Sequence, residues 1–280
     1  MPYRTLIRTA ELSKHLGDPN WVIIDCRHEL TDALAGRAEY RRSHIAGAHF
    51  MDACEDLAGP LTGKNGRHPL PDADAFAERL SRLGVDSTKQ VVAYDAQAAI
   101  FASRLWWMLR WLGHDAVAVL DGGWSKWLSE ARPVGAEVPT PSAARFIPSP
   151  RKAAVNAGFV LASLGRPEVM LLDARSPDRF RGENETLDPV GGHIPGAANR
   201  FFRENLAASG LFKSAARLRE EYSALLQARR AEPLVHYCGS GVSACHNMLA
   251  MEIAGLPAGM LYAGSWSEWC ADPSRPRALD

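Results

Sequence analysis

The feature that most constrains this 280-residue chain is that it is written twice. WVIIDCR, from Trp21 to Arg27, returns as VMLLDAR, from Val169 to Arg175. SHIAGAHF, with His44, returns as GHIPGAAN, with His193. VVAYDAQ aligns with PLVHYCGS, which sets Tyr94 against Tyr237 and Asp95 against Cys238. DGGWSKW aligns with AGSWSEW, pairing Trp124 and Trp127 with Trp266 and Trp269. The offsets are 148, 149, 143 and 142 residues, so four features recur in one order at nearly constant spacing. A period this long describes a duplicated domain rather than a solenoid of short repeats.

Each copy alternates short apolar runs with longer amphipathic stretches. Strands are expected at 21–25, 91–94 and 117–120, then at 169–173 and 233–237. Helices are expected at 72–83 and 99–112, then at 214–229 and 243–254. This alternation predicts an α/β fold, two domains each with a mostly parallel central sheet flanked by helices. Between the copies, Pro139, Pro141, Pro148 and Pro150 remove backbone donors and disfavour helix. The expected division is a domain over 1–140, a linker over 141–152 and a domain over 153–280.

The 32 basic and 32 acidic residues balance, which removes the footprint of a nucleic-acid binder or of a protein held on an anionic membrane. No apolar run approaches the roughly 20 residues needed to span a bilayer. The N-terminus has no long apolar core of a signal peptide. Five cysteines, an odd number without regular spacing, do not make a secreted disulfide framework. A cytoplasmic protein is expected, in a reducing environment that suits a reactive thiol.

The chemistry concentrates after the strand Leu234 to Tyr237. Cys238 follows at once, then Gly239-Ser240-Gly241, then helical spacing from Ser243. A strand, a glycine-bearing loop and a helix N-terminus converge backbone N–H groups on one point. A sulfur held there is favoured as the thiolate. The two glycines are expected to leave it uncovered. The same donors suit a terminal persulfide.

A phosphatase loop would carry an arginine six positions after its cysteine, and here that residue is Ala244, so phosphate is poorly held. Zinc binding by Cys238, Cys245 and His246 would be an incomplete set at no usual spacing. No metal or organic cofactor is expected.

At these residues the chain resembles the tandem-domain sulfurtransferases of the rhodanese and mercaptopyruvate sulfurtransferase family. CGSGVSA, GHIPGA and the repeated Gly-x-Trp-Ser-x-Trp carry the resemblance, which runs nearly end to end. It implies that the second domain is catalytic and that the first, with Asp95 at the cysteine position, is not. It implies Cys238 as nucleophile and Ser240 as a hydroxyl that bonds sulfur or substrate. Asp52 and His68 would assist proton movement. Arg179 would grip a substrate carboxylate, with the loop residues Gly239, Gly241, Val242, Ser243 and Ala244 around the donor. The family's mercaptopyruvate members carry a second arginine some nine residues after the first. ENETLDPVGG lacks it, which leaves Arg175, Arg181 or an arginine of the first half to take its place.

The activity implied is transfer of sulfane sulfur from 3-mercaptopyruvate to a thiophilic acceptor through a Cys238 persulfide. The acceptor is cyanide in an assay and a thiol or a thioredoxin-like protein in a cell. Thiosulfate is the alternative donor. A non-catalytic sulfur carrier or thiol redox module, with Cys245 as resolving partner, is the reading from a different class.

Overall fold

The computed structural model describes residues 2–227 and 233–279. They form two compact units. One holds the residues up to Gly59 together with Leu70–Lys152; the other holds Pro60–Pro69 and the residues from Ala153 onward.

The first unit contains β1 (Leu6–Ile7), α1 (Thr9–Leu12), β2 (Trp21–Asp25), α2 (Ala35–Arg42), β3 (His44–Ile45) and β4 (His49–Phe50). It continues with α3 (Ala73–Arg82), β5 (Gln90–Tyr94), α4 (Ile100–Trp111), β6 (Val117–Leu120), α5 (Gly123–Ser129) and β7 (Val134–Gly135). The second unit contains β8 (Ala154–Val155), α6 (Ala157–Ala162), β9 (Met170–Asp173), α7 (Pro177–Phe180) and β10 (Ala198–Asn199). After these come α8 (Ala215–Gln227), β11 (Leu234–Tyr237), α9 (Ser243–Ile253), β12 (Met260–Tyr262) and α10 (Ser265–Trp269). Residues 228 and 229 of the expected helix 214–229 lie outside the described residues.

The first sheet runs β1-β6-β5-β2-β4 and the second β8-β12-β11-β9-β10, parallel throughout. Strand for strand these are one topology. The central strands, β5 and β11, are buried along their whole length, as expected for a parallel sheet covered on both faces. The helix after each is sunk into its unit: Phe101 to Leu109 in α4 and Ala244 to Met251 in α9 are buried, the polar Arg104, His246 and Asn247 among them.

The repeated motifs meet in space. Asp25 chelates Arg27 through Nε and Nη2, and Asp173 chelates Arg175 in the same way. Each arginine also reaches a backbone carbonyl, Ser43 or Gly192, at 2.7 Å. Each lies over a tryptophan ring, Trp124 at 4.4 Å or Trp266 at 4.9 Å. His44 bonds the Tyr40 carbonyl and stacks on the Tyr40 ring; His193 bonds the Phe180 carbonyl and stacks on Phe180. Buried ion pairs persist only when the remaining donors and acceptors are satisfied, which explains why these motifs occur as a set.

The segment 141–152 has no helix or strand, yet it is not slack. It runs along the first unit, pinned where the Phe146 amide bonds Ser81 and where the Ser149 and Arg151 amides bond the carbonyls of Leu112 and Trp111. The segment Pro60–Pro69 packs with the second unit. A side-chain carbon on Gly66 would lie 2.6 Å from the Gly264 carbonyl, and the Arg67 amide donates to Ser267 Oγ at 3.1 Å.

Candidate active site

Cys238 follows β11 directly. Its amide donates to Ser265 Oγ at 3.1 Å, and its carbonyl accepts from the Trp266 amide at 2.9 Å. The chain after it turns back, so that the Gly241 amide points at Sγ, 3.1 Å away. Gly241 has φ +77°, and a side chain there would collide with the Ala263 carbonyl, at 2.4 Å from its first carbon. Only glycine makes this turn against that neighbour without strain. Ser265 pays a similar conformational cost at φ 55°, which lets its hydroxyl accept from Cys238 while donating to the Tyr262 carbonyl at 2.9 Å.

The sulfur is not uncovered, contrary to expectation: Cys238 is 2% exposed. The space that the glycines free is filled by neighbours. A carbon on Gly239 would lie 2.9 Å from Nη2 of Arg67 and 3.5 and 3.7 Å from the terminal nitrogens of Arg179. Two guanidinium groups therefore flank the residue that follows the nucleophile.

His68 belongs to the second unit through the segment Pro60–Pro69, and its Nδ1 lies 2.8 Å from Ser240 Oγ. Both residues are buried. The structure thus brings together Cys238, Ser240, His68 and Arg179. In the rest of the loop, Gly239, Gly241 and Val242 are buried, Ser243 is partly exposed, and Ala244 is fully buried in the first turn of α9. Cys245 is also buried and donates to the Gly241 carbonyl at 3.3 Å, which ties its thiol to the loop's backbone.

Asp52 belongs to the first unit. Its carboxylate accepts from the amides of Cys54 and Glu55 at 2.8 and 3.0 Å. His28 Nδ1 lies 3.7 Å from it, an ion-pair rather than a hydrogen-bond distance, and His28 Nε2 lies 3.7 Å from Cys54 Sγ. Asp52 raises the His28 pKa to about 9, with Cys54 adding to the effect. Burial opposes ionisation of Asp52, but His28 and the two amides outweigh it, and its pKa falls to about 2.

Neither arginine named from the second half replaces the missing one. Arg175 is locked in the core by Asp173 and Glu185, and Arg181 pairs with Glu183 at the surface. The arginine that reaches the loop is Arg67. It is an arginine of the first half, the remaining option, though only its neighbour His68 is marked individually by the sequence. Sequence reasoning passed over the acidic pair that holds the arginines. Glu185 bonds Arg179 through both oxygens, at 2.8 to 3.1 Å. Asp188 pairs with Arg67 and lies 3.4 Å from Arg179. Burial disfavours both carboxylates as anions; for Glu185 Arg179 prevails and the pKa falls, while for Asp188 burial prevails over Arg67 and the pKa rises.

Residues 8–130 and 157–272 each match the rhodanese-like domain. The chain is 44% identical over 276 residues to a probable 3-mercaptopyruvate sulfurtransferase of Pseudomonas aeruginosa, covering 98% of this chain and 97% of that one. It is 34% identical over 287 residues to the thiosulfate sulfurtransferase of Bos taurus, covering 95% and 92%. The crystal structure of SseA from Escherichia coli, a 3-mercaptopyruvate sulfotransferase, superimposes with a TM-score of 0.79 at 31% identity over 95% of this chain and 100% of that one. With both halves matching one domain family and relatives covered nearly end to end, the chain belongs to the rhodanese family of sulfurtransferases.

Proposed function

We propose that this protein moves sulfane sulfur from 3-mercaptopyruvate to a thiophilic acceptor by way of a persulfide on Cys238. The observation that carries the reading is the Gly241 amide aimed at Cys238 Sγ from 3.1 Å, beside the guanidinium of Arg179. An amide donor at a sulfur that alternates between thiolate and persulfide anion serves both states without rearrangement.

In the first half-reaction the thiolate of Cys238 attacks the donor's sulfur. The sulfur–sulfur bond forms and the carbon–sulfur bond breaks. Its electron pair leaves as the enolate of pyruvate, and the donor's thiol proton ends on the methyl carbon. Arg179 holds the donor carboxylate. Ser240 and His68, in contact at 2.8 Å, are the hydroxyl and imidazole proposed to carry that proton. In the second half-reaction cyanide or a thiolate attacks the outer sulfur and Cys238 departs as thiolate. A small thiol or a thioredoxin-like protein in a reducing, cytoplasmic setting is the acceptor this chemistry suits. No helix among the described residues is long and apolar enough to cross a membrane. The steps are double displacement with a covalent intermediate.

The test is mass spectrometry of protein given donor without acceptor. Cys238 should gain about 32 Da, one sulfur atom, and Cys238→Ser should gain nothing. Turnover by the serine variant would end the reading. Mercaptopyruvate should exceed thiosulfate in kcat/KM with cyanide as acceptor; the reverse order would make thiosulfate the donor.

A further inference from the structure

Resting on that reading, we propose that Asp188 is a resident anion seated in the donor's carboxylate site, bridging Arg67 and Arg179. Its charge makes the site select monoanionic carboxylate donors over dianions.

The two arginines converge on Gly239, the residue next to the nucleophile. They differ in exposure from their counter-ions. The side chains of Arg67 and Arg179 are 33% and 20% exposed, whereas those of Glu185 and Asp188 are 4% and 2% exposed. An arriving anion therefore meets the cations first. The two carboxylates are not held alike. Glu185 accepts two amides, of Leu187 and Asp188, in addition to its fork with Arg179, and it also touches Arg175. It is part of the scaffold. Asp188 accepts from Arg67 through one oxygen and reaches Arg179 through the other, at 3.4 Å. Its carboxylate thus has the bridging geometry a donor carboxylate needs between two guanidinium groups. Burial already disfavours its charge. It is the carboxylate that gives up its pairs when a donor arrives.

The charge count gives the selectivity. Arg67, Arg175 and Arg179 are balanced by Asp173, Glu185 and Asp188. A mercaptopyruvate monoanion adds one negative charge to a neutral group, and thiosulfate adds two. One extra charge a few ångströms from Asp188, partly screened, amounts to roughly tenfold in binding.

The experiment compares wild type, Asp188→Asn and Asp188→Glu for kcat/KM with mercaptopyruvate and with thiosulfate, cyanide being the acceptor. Asp188→Asn should raise the thiosulfate-to-mercaptopyruvate ratio about tenfold. Asp188→Glu keeps the charge and should keep the ratio. A ratio unmoved by Asp188→Asn, or moved equally by both variants, overturns the inference. Calorimetry with pyruvate, which needs no turnover, separates this from failure of the sulfurtransferase reading. Asp188→Asn should bind pyruvate more tightly and Arg67→Gln about tenfold more weakly than wild type. If persulfide formation fails yet pyruvate binding follows this order, the activity falls and the anion site stands. If persulfide forms but pyruvate binding ignores both substitutions, the anion site falls and the activity stands.

Discussion

Asp95 and Cys238 end the same central strand in two copies of one fold, and the loop after each turns amides back upon it. In the first unit the Asp95 carboxylate accepts from the amides of Gln97, Ala99, Phe101 and Ala102, all at 2.8 to 2.9 Å. In the second, the Gly241 amide donates to Cys238 Sγ. The carbonyls of Asp95 and Cys238 each accept, at 2.9 Å, from the amide of the matching tryptophan, Trp124 or Trp266. One copy of the loop thus carries a permanent carboxylate where the other carries sulfur. Both copies aim backbone amides at this point, though burial outweighs them at Asp95 and raises its pKa.

Removing that carboxylate should cost stability, not chemistry. Asp95→Ala leaves four inward-facing amides without an acceptor, and burying unpaired donors is expensive. We expect a loss of about 3 kcal/mol or more in urea unfolding. A variant as stable as wild type would mean that the amides find other partners.

The two loop glycines should respond differently to alanine. At Gly241 the added carbon strikes the rigid Ala263 carbonyl and the backbone is left-handed, so Gly241→Ala should lose at least about 2 kcal/mol of stability and most of its turnover. At Gly239 it meets the end of the flexible Arg67 side chain. Gly239→Ala should fold normally and raise KM more than it lowers kcat. Steady-state kinetics with melting curves checks both.

Ser240 and His68 should behave as one device. Ser240→Ala and His68→Gln are each expected to lower kcat on the order of a hundredfold. The double variant should be little worse than either single one, because both remove the same contact. Fully multiplicative losses in a double-mutant cycle would show independent roles.

Cys245 supplies the contrast between enzyme and redox module. Its thiol is buried and bonded to the Gly241 carbonyl. Cys245→Ala should keep its rate with cyanide within about threefold of wild type, since its bond to the Gly241 carbonyl is a modest one. Abolished turnover would favour a dithiol mechanism.

The pair of His28 and Asp52 predicts how stability depends on pH. The folded pKa of His28 is raised to about 9 from 6.5. Folding therefore gains from its protonation fully below the unfolded value and loses that gain as pH rises through about 9. The change should approach about 3 kcal/mol and vanish in His28→Gln. Urea unfolding across pH 6 to 10 measures it.

The sheets were legible because their signals are local. A run such as Val91 to Tyr94 is buried on both faces, and its composition says so. The short elements β1, β8, α1 and α6 left no such trace, for runs of two to six residues have too few positions to reveal a period. Neither did α5 and α10. Their tryptophans announced a repeated motif, but the ring nitrogens of Trp127 and Trp269 are anchored to the carbonyls of Pro133 and Pro276, six and seven residues on, by bonds that leave no periodic trace in the sequence. At the site, Cys238 was readable from its place between a strand and a glycine loop. The surroundings of its loop were not, because Arg67, whose guanidinium lies beside Gly239, is remote in the chain and arrives through a connecting segment. Asp188 was read as the absence of an arginine; only the structure shows its carboxylate between two of them.

Pro60–Pro69 is encoded within the first copy of the repeat yet folds with the second. A cut after Lys152 would leave both sheets whole and still divide the chemistry, stripping the cysteine-bearing fragment of Arg67 and His68. The two copies are thereby stitched together: a fragment made of the second alone lacks the Arg67 guanidinium beside Gly239 and the His68 ring bonded to Ser240.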